Sequence, residues 1–191
     1  MEAIIISGLP ASGKTSVAMI LAAKLKVEAL SGSDMLREMA ADRGFKPEGE
    51  DWWDTKEGIR FLEERKKDPN FDKEADKRLQ AKINKGNIVL TSYTAPWLSD
   101  KGFKVWLATN LQTRAKRMSE RDHTTITEAM KTLKIRDQEN STLYMSLYKI
   151  DFGNDLKPFD LIIDANNISQ EEVANLIIEN INKHKDKKKR K

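Results

Sequence analysis

The chain has 191 residues, 34 Lys plus Arg against 30 Asp plus Glu, a net charge of +4 and no cysteine. The length suits one domain with room for a core, and the missing cysteine excludes disulfides, thiolate metal sites and cysteine nucleophiles. Residues 183–191 (KHKDKKKRK) carry +6, which leaves −2 on all the rest, so the bulk charge says nothing about a polyanionic partner for the folded body. His123 and His184 lie too far apart to suggest a metal site. No apolar run approaches the ~20 residues that span a bilayer. Glu2 and the short run Ala3-Ile4-Ile5-Ile6 do not make a signal peptide. A cytoplasmic protein that does not meet the membrane is therefore expected.

Strand-like and helix-like segments alternate along the chain. Residues 2–7 (EAIIIS) read as a central parallel strand, buried on both faces. Residues 15–26 follow as a helix, with Val17, Ile20, Leu21 and Leu25 at helical spacing. A second strand is expected over 27–31 and a helix over 34–43, with Met35, Leu36 and Met39 on one side. Residues 87–92, 103–109 and 159–164 read as three more strands, and 111–121, 125–148 and 169–184 as the helices among them. Thr125-x-x-Glu128 and Ser169-x-x-Glu172 are capping boxes that mark two helix starts. Residues 44–86 are polar and helix-prone and hold Trp52 and Trp53, so an inserted subdomain of two or three helices is expected there. The two tryptophans suit either the core of that subdomain or a stacking platform. The fold class is α/β, a five-stranded parallel sheet with helices on both faces, ending at about residue 182. Residues 183–191 are low-complexity and expected to be a basic, disordered tail.

Residues 8–15, Gly8-Leu9-Pro10-Ala11-Ser12-Gly13-Lys14-Thr15, match the phosphate-loop pattern G-x-x-x-x-G-K-[ST]. The match follows an apolar strand and opens a helix, the context that the chemistry requires. Glycines let the backbone wrap a phosphate so that successive N–H groups point at it, and the helix adds the positive end of its dipole. Gly8, Ala11, Ser12, Gly13, Lys14, Thr15 and Ser16 are thus the expected nucleotide-binding residues. Lys14 would reach the β- and γ-phosphates, and the Thr15 hydroxyl would ligate Mg²⁺.

Phosphoryl transfer depends mostly on positioning and on neutralising charge, so converging arginines are expected beside the loop. Arg114, Arg117 and Arg121 share one helix face, and Arg136 follows on the next helix after a tight turn. These two helices, about residues 114–140, suit a short lid over a nucleotide; a solvated basic face is the plain alternative. Ligands of open parallel sheets sit beyond the carboxyl ends of the strands. That places Ser31, Ser33, Asp34 and Arg37 near an acceptor site, with Arg78 and Asp76 in reach from the end of the insert. Asp34 is ambiguous between helix cap, ligand of a Mg²⁺-shell water and general base.

Taken together, GLPASGKT, SGSDMLREMAADRG, KGNIVL, LQTRAKRM, LYKID and FDLIIDANN resemble the archaeal-type cytidylate kinases, over about residues 2–181. The resemblance implies an adenylate-kinase-like fold with a monophosphate-binding subdomain and a short lid, and transfer of the ATP γ-phosphoryl group to CMP with Mg²⁺. It implies acceptor roles for Ser31, Arg37 and Arg78, and it matches Arg114 and Arg117 to the family's R-x-x-R helix and Arg136-Asp137 to its lid. The chain departs from the family where an acid and Gly-Arg usually end the third strand: here stand Thr91, Ser92 and Tyr93. It also lacks further basic residues after Asp137, and its segment from Phe45 to Phe71 is longer. The partners expected are ATP and a nucleoside monophosphate acting on a monomer, with nucleic acid reached only through the tail. Two alternatives are a kinase acting on a hydroxyl, with Asp34 as base, and a nucleotide-binding protein without turnover.

Overall fold

The β-branched run at the N-terminus forms the middle of the sheet, as its uninterrupted apolar character requires. In the computed structural model, which describes residues 1–49, 52, 55–68 and 70–189, β1 (Ile4–Gly8) is buried along its whole length. It pairs in parallel with β3 (Ile88–Thr91) on one side and β4 (Phe103–Ala108) on the other. Beyond them lie β2 (Glu28–Ser31) and β5 (Leu161–Asp164), so the strand order is β2-β3-β1-β4-β5.

Because successive side chains of a strand point to opposite faces, β1 feeds two cores. Ile4 and Ile6 pack with α1 (Lys14–Leu25) and α8 (Gln170–Lys189) through Val17, Leu21, Val173 and Ile177. Ala3 and Ile5 face the other way, onto Met35 and Met39 of α2 (Gly32–Asp42) and Leu79 and Ile83 of α4 (Phe71–Lys85). Among the described residues, the insert holds two helices, α3 (Lys56–Lys67) and α4. Trp52 is 2% exposed and packs 5.5 Å from Phe61, which in turn packs edge-on against Phe45 and Phe71. Trp52 is thus core; Trp53 lies outside the described residues. After β4, α6 (Leu111–Asp122) and α7 (Ile126–Tyr148) form an antiparallel pair. Their turn passes through His123 in a left-handed conformation (φ 51°) and the Thr125/Glu128 capping box.

Two elements differ from expectation. Ala95–Leu98 form a short helix, α5, behind β3; four residues carry no periodicity to read. The last helix does not stop at His184 but runs through Lys189, so that part of the basic stretch is helical rather than disordered. The physical reason is local: the run contains no Gly or Pro, and lysines are good helix formers that suit the negative end of the helix dipole. No helix among the described residues is long and apolar enough to cross a membrane.

Register decides where chemistry can occur. Ile6 lies opposite Thr91, and Ser31 opposite Thr91 on the far side, so the loop after β1, the start of α2 and the Thr91–Tyr93 stretch meet at one end of the sheet. Ser92 N–H donates to the Ile6 carbonyl at 3.2 Å, which continues that register into the turn.

Candidate active site

The loop between β1 and α1 takes its shape from two glycines. Gly8 has φ +153°, and a Cβ there would lie 2.8 Å from both the Leu107 carbonyl oxygen and Ser12 Oγ. Gly13, at φ +95°, begins α1 from the left-handed region, where a side chain is strained. Neither a side-chain cap nor an acidic residue covers the first turn of α1. Its leading amides and dipole therefore point at whatever anion enters the loop. Ser12 is buried, whereas Thr15 and Ser16 are exposed at the mouth.

Lys14 lies across this loop. Its Nζ donates to the Gly8 and Leu9 carbonyls at 2.9 and 2.8 Å and sits 4.8 Å above the ring of Tyr93. The residue as a whole keeps some exposure, but the ammonium end is enclosed. Burial, with Arg136 and then Arg114 adding to it and Asp137 opposing, brings its pKa down to about 7. A phosphate is the group that would restore the charge.

Of the four expected arginines, Arg121 and Arg136 line the cleft beside Lys14 and Thr15. Arg121 also pairs with Asp122 at 2.5 Å. The other two are committed elsewhere, and this corrects the expectation that they close over the transferring group. Arg114 is buried and makes a bidentate pair with Asp137, at 3.0 and 2.8 Å, while also donating to the Pro10 carbonyl. Arg117 donates to the Ser12 and Ala165 carbonyls at 3.0 and 2.6 Å, tying the phosphate loop to the end of β5. Both hold the loop in place from behind. Helical spacing put them on one face with Arg121, but only the packing of α6 against the loop and α7 decides which reach the cleft.

At the start of α2, Ser31 and Ser33 line the cleft and share a hydrogen bond of 2.7 Å. Asp34 Oδ2 accepts from Ser31 N–H at 2.7 Å and Ser31 Oγ at 2.6 Å, while Ser31 Oγ accepts from Asp34 N–H. This is a reciprocal capping box, so the cap is the use the structure makes of Asp34, and it does not line the cleft. Asp34→Ala is expected to cost about 1 kcal/mol of stability and to change kcat by less than about 10-fold, since no general base is removed. A melting curve and a rate assay check both. Arg37 and Arg78 also depart from expectation. Arg37 donates to the Pro47 carbonyl at 2.7 Å and lies over Trp52, and Arg78 pairs with Asp42 and Glu74. Each fastens the insert to α2 or within itself, and neither lines the cleft.

Tyr93, which stands where the resemblance leads one to expect an arginine, does line the cleft. Its ring packs against Tyr144 and Phe152 and receives Lys14 on its face. Asp76, expected within reach of an acceptor site, does line the cleft; Arg65, Asp72, Asn140, Tyr144 and Tyr148 are neighbours that the sequence did not single out. Arg65 and Asp72 form an ion pair of 2.6 Å at the insert end of the cleft. Asp76 accepts from Thr94 Oγ1 at 2.6 Å and Tyr148 OH at 2.5 Å. Burial raises its pKa, against the effect of those two hydroxyls. Arg136, Asn140, Tyr144 and Tyr148 follow at four-residue steps and make one wall of the cleft. That periodic stripe on α7 was the available signal.

Among the described residues, no group of three or more His, Asp or Glu side chains is arranged to hold a metal ion. Mg²⁺ in phosphoryl transfer needs little from the protein, because phosphate oxygens and water supply most of its shell. One exposed hydroxyl at the loop mouth, Thr15, fits that demand.

Residues 3–167 match the cytidylate kinase-like family. A cytidylate kinase of Pyrobaculum islandicum is 33% identical over 171 residues, covering 88% of this chain and 86% of that protein. A cytidylate kinase of Staphylothermus marinus is 33% identical over 185 residues, covering 96% and 98%. Among solved structures, an uncharacterized protein from Eubacterium ventriosum aligns with a TM-score of 0.70 at 19% identity, over 95% of this chain and 98% of that one. A shikimate kinase from Acinetobacter baumannii aligns at 0.60 and 18%, over 97% and 95%. At those identities the structures speak for the fold alone. The sequence match is of another order, spanning the loop, the insert, α6, α7 and the last strand together, and by it the chain belongs to the cytidylate kinase-like family of phosphate-loop kinases.

Proposed function

We propose that the protein is a nucleoside monophosphate kinase that transfers the γ-phosphoryl group of ATP to CMP or dCMP. The observation that carries this reading is a single cleft of about 590 Å³ joining the two ends such a reaction needs. One end is the phosphate loop with Lys14, Thr15, Arg121 and Arg136. The other lies beneath α4 of the insert, between α2 and α7.

In this reading the loop amides and Lys14 hold the ATP phosphates, and Arg121 and Arg136 neutralise charge on the transferring group. Ser31 and Ser33 face the acceptor. An oxygen of the acceptor phosphate attacks the γ-phosphorus as the bond to the β-phosphate bridging oxygen breaks, and ADP leaves. The attacking oxygen is already ionised, so no general base is required. Bound Mg²⁺ would lower the charge on the β- and γ-phosphates, and the Thr15 hydroxyl is the side chain that would meet it. Arg114 and Arg117 act at one remove by fixing the loop and α7.

A coupled assay of ADP release with CMP, dCMP, UMP, AMP and GMP tests the proposal. CMP and dCMP are expected to give the highest kcat/KM. Absence of ADP with all five would sink it.

A further inference from the structure

Asp76 differs from Asp72, the other carboxylate of the cleft, because among the described residues no cation forms an ion pair with it. Asp72 has Arg65, with Nε at 3.0 Å and Nη2 at 2.6 Å on one oxygen. Asp76 has two hydroxyls, Thr94 on Oδ1 and Tyr148 on Oδ2. An ionised carboxylate has about four lone-pair sites and donates nothing, so each oxygen keeps acceptor capacity that the hydroxyls do not use. Apolar side chains make part of the surroundings: Met35 and Leu79 are buried, and Leu36, Ala75 and Tyr144 add to the walls beside the Arg65–Asp72 pair. Such a space suits the flat faces of a base. A partly buried carboxylate without a counter-ion keeps part of its desolvation penalty until a donor reaches it.

We infer that Asp76 is the specificity-determining residue of the acceptor end, selecting a monophosphate whose base carries an exocyclic amino group. The inference rests on the monophosphate-kinase reading and names what that site distinguishes. An amino group donates to the free lone pairs of Asp76. A keto oxygen at the same ring position sets an acceptor against an anion, and no donor then fills the free lone pairs. Cytosine and uracil differ at one ring position in this way, so Asp76 separates CMP and dCMP from UMP. Thr94 and Tyr148, 18 residues after Asp76 and 72 residues after it, are positioning residues that aim the carboxylate.

The test uses the full chain and two readouts: equilibrium binding of CMP, dCMP and UMP by calorimetry, and kcat/KM for each. The wild type is expected to favour CMP and dCMP over UMP by about 10²-fold, the scale of one charged hydrogen bond made or left unmade. Asp76→Asn is expected to weaken CMP and dCMP by at least about 10-fold and to leave UMP unchanged or improved, because an amide can donate to a keto oxygen. Tyr148→Phe keeps the carboxylate and should preserve the CMP-to-UMP ratio even if overall activity falls. Equal losses for all three nucleotides in Asp76→Asn would make the role merely structural and overturn the inference. A loss for CMP without one for dCMP would move the contact to the sugar and overturn it equally. Should Asp76→Asn fail to fold, wild-type binding decides, since equal affinity for CMP and UMP is incompatible with the assignment. Selective binding without turnover would refute the kinase reading while leaving the selectivity standing.

Discussion

Lys14→Ala is expected to lower kcat by about 10³-fold, the effect of removing a donor aimed at charge that develops in the transition state. The variant should fold, and the direction of the pKa shift says why. An ammonium whose pKa falls from 10.5 to about 7 on folding binds fewer protons in the folded chain than in the unfolded one. Stability from this group therefore rises with pH between about 7 and 10.5, and below 7 the charged form is a cost that alanine removes. Loss of activity with an unchanged or raised melting temperature at pH 6–7 is the expected pair of results. The same shift makes nucleotide binding proton-linked. A polyphosphate favours the charged lysine, so ATP binding should take up close to one proton at pH 8 and about half a proton at pH 7. Calorimetry in two buffers of different ionisation enthalpy measures this. Zero uptake at pH 8, or uptake that persists in Lys14→Ala, would remove Lys14 from the phosphate site.

Asp137→Ala is expected to be the most destabilising substitution in the cleft's supporting frame. The Arg114 side chain is 4% exposed and that of Asp137 26%. Removing the carboxylate strands a buried guanidinium, which costs about 3–5 kcal/mol. In a chain of this length that corresponds to a fall in melting temperature of about 10 °C. Replacing both partners together, Arg114→Leu with Asp137→Leu, should recover much of the loss, because the stranded charge goes as well. Activity should not recover with it. The Arg114–Asp137 pair fixes the part of α7 that carries Arg136 and, through the Pro10 carbonyl, the phosphate loop. A double variant as active as the wild type would show that the pair contributes stability alone.

Helices, strands and loop could be read because their signals are local. The G-x-x-x-x-G-K-T run needs only a preceding strand and a following helix to be interpretable. The Thr125/Glu128 and Ser169/Glu172 boxes close over three residues, and the structure shows both pairs bonded. The ambiguity of Asp34 also resolved locally, into the cap. The arginines did not resolve this way. Arg114, Arg117 and Arg121 share a helix face, yet one pairs with Asp137 on α7, one spans two backbone carbonyls far apart in the chain, and one reaches the cleft. Arg37 and Arg78 look alike in the sequence as candidate phosphate ligands, and both instead fasten the insert.

The sequence by itself determined that this is an α/β phosphate-loop protein with a helical insert, and that the phosphate-loop pattern lies at the start of α1. Backbone conformation, helix starts and strand burial depend on neighbours a few residues away, so a linear reading reaches them. Which side chains line the cleft was decided only by the tertiary structure. The register of β1, β2 and β3 brings Ser31, Thr91 and the loop together, and α4 and α7 then meet across the cleft. The Asp76–Thr94–Tyr148 cluster joins residues up to 72 positions apart, and no spacing rule connects them. A charge acts through its distance and burial in space, and chain order carries neither.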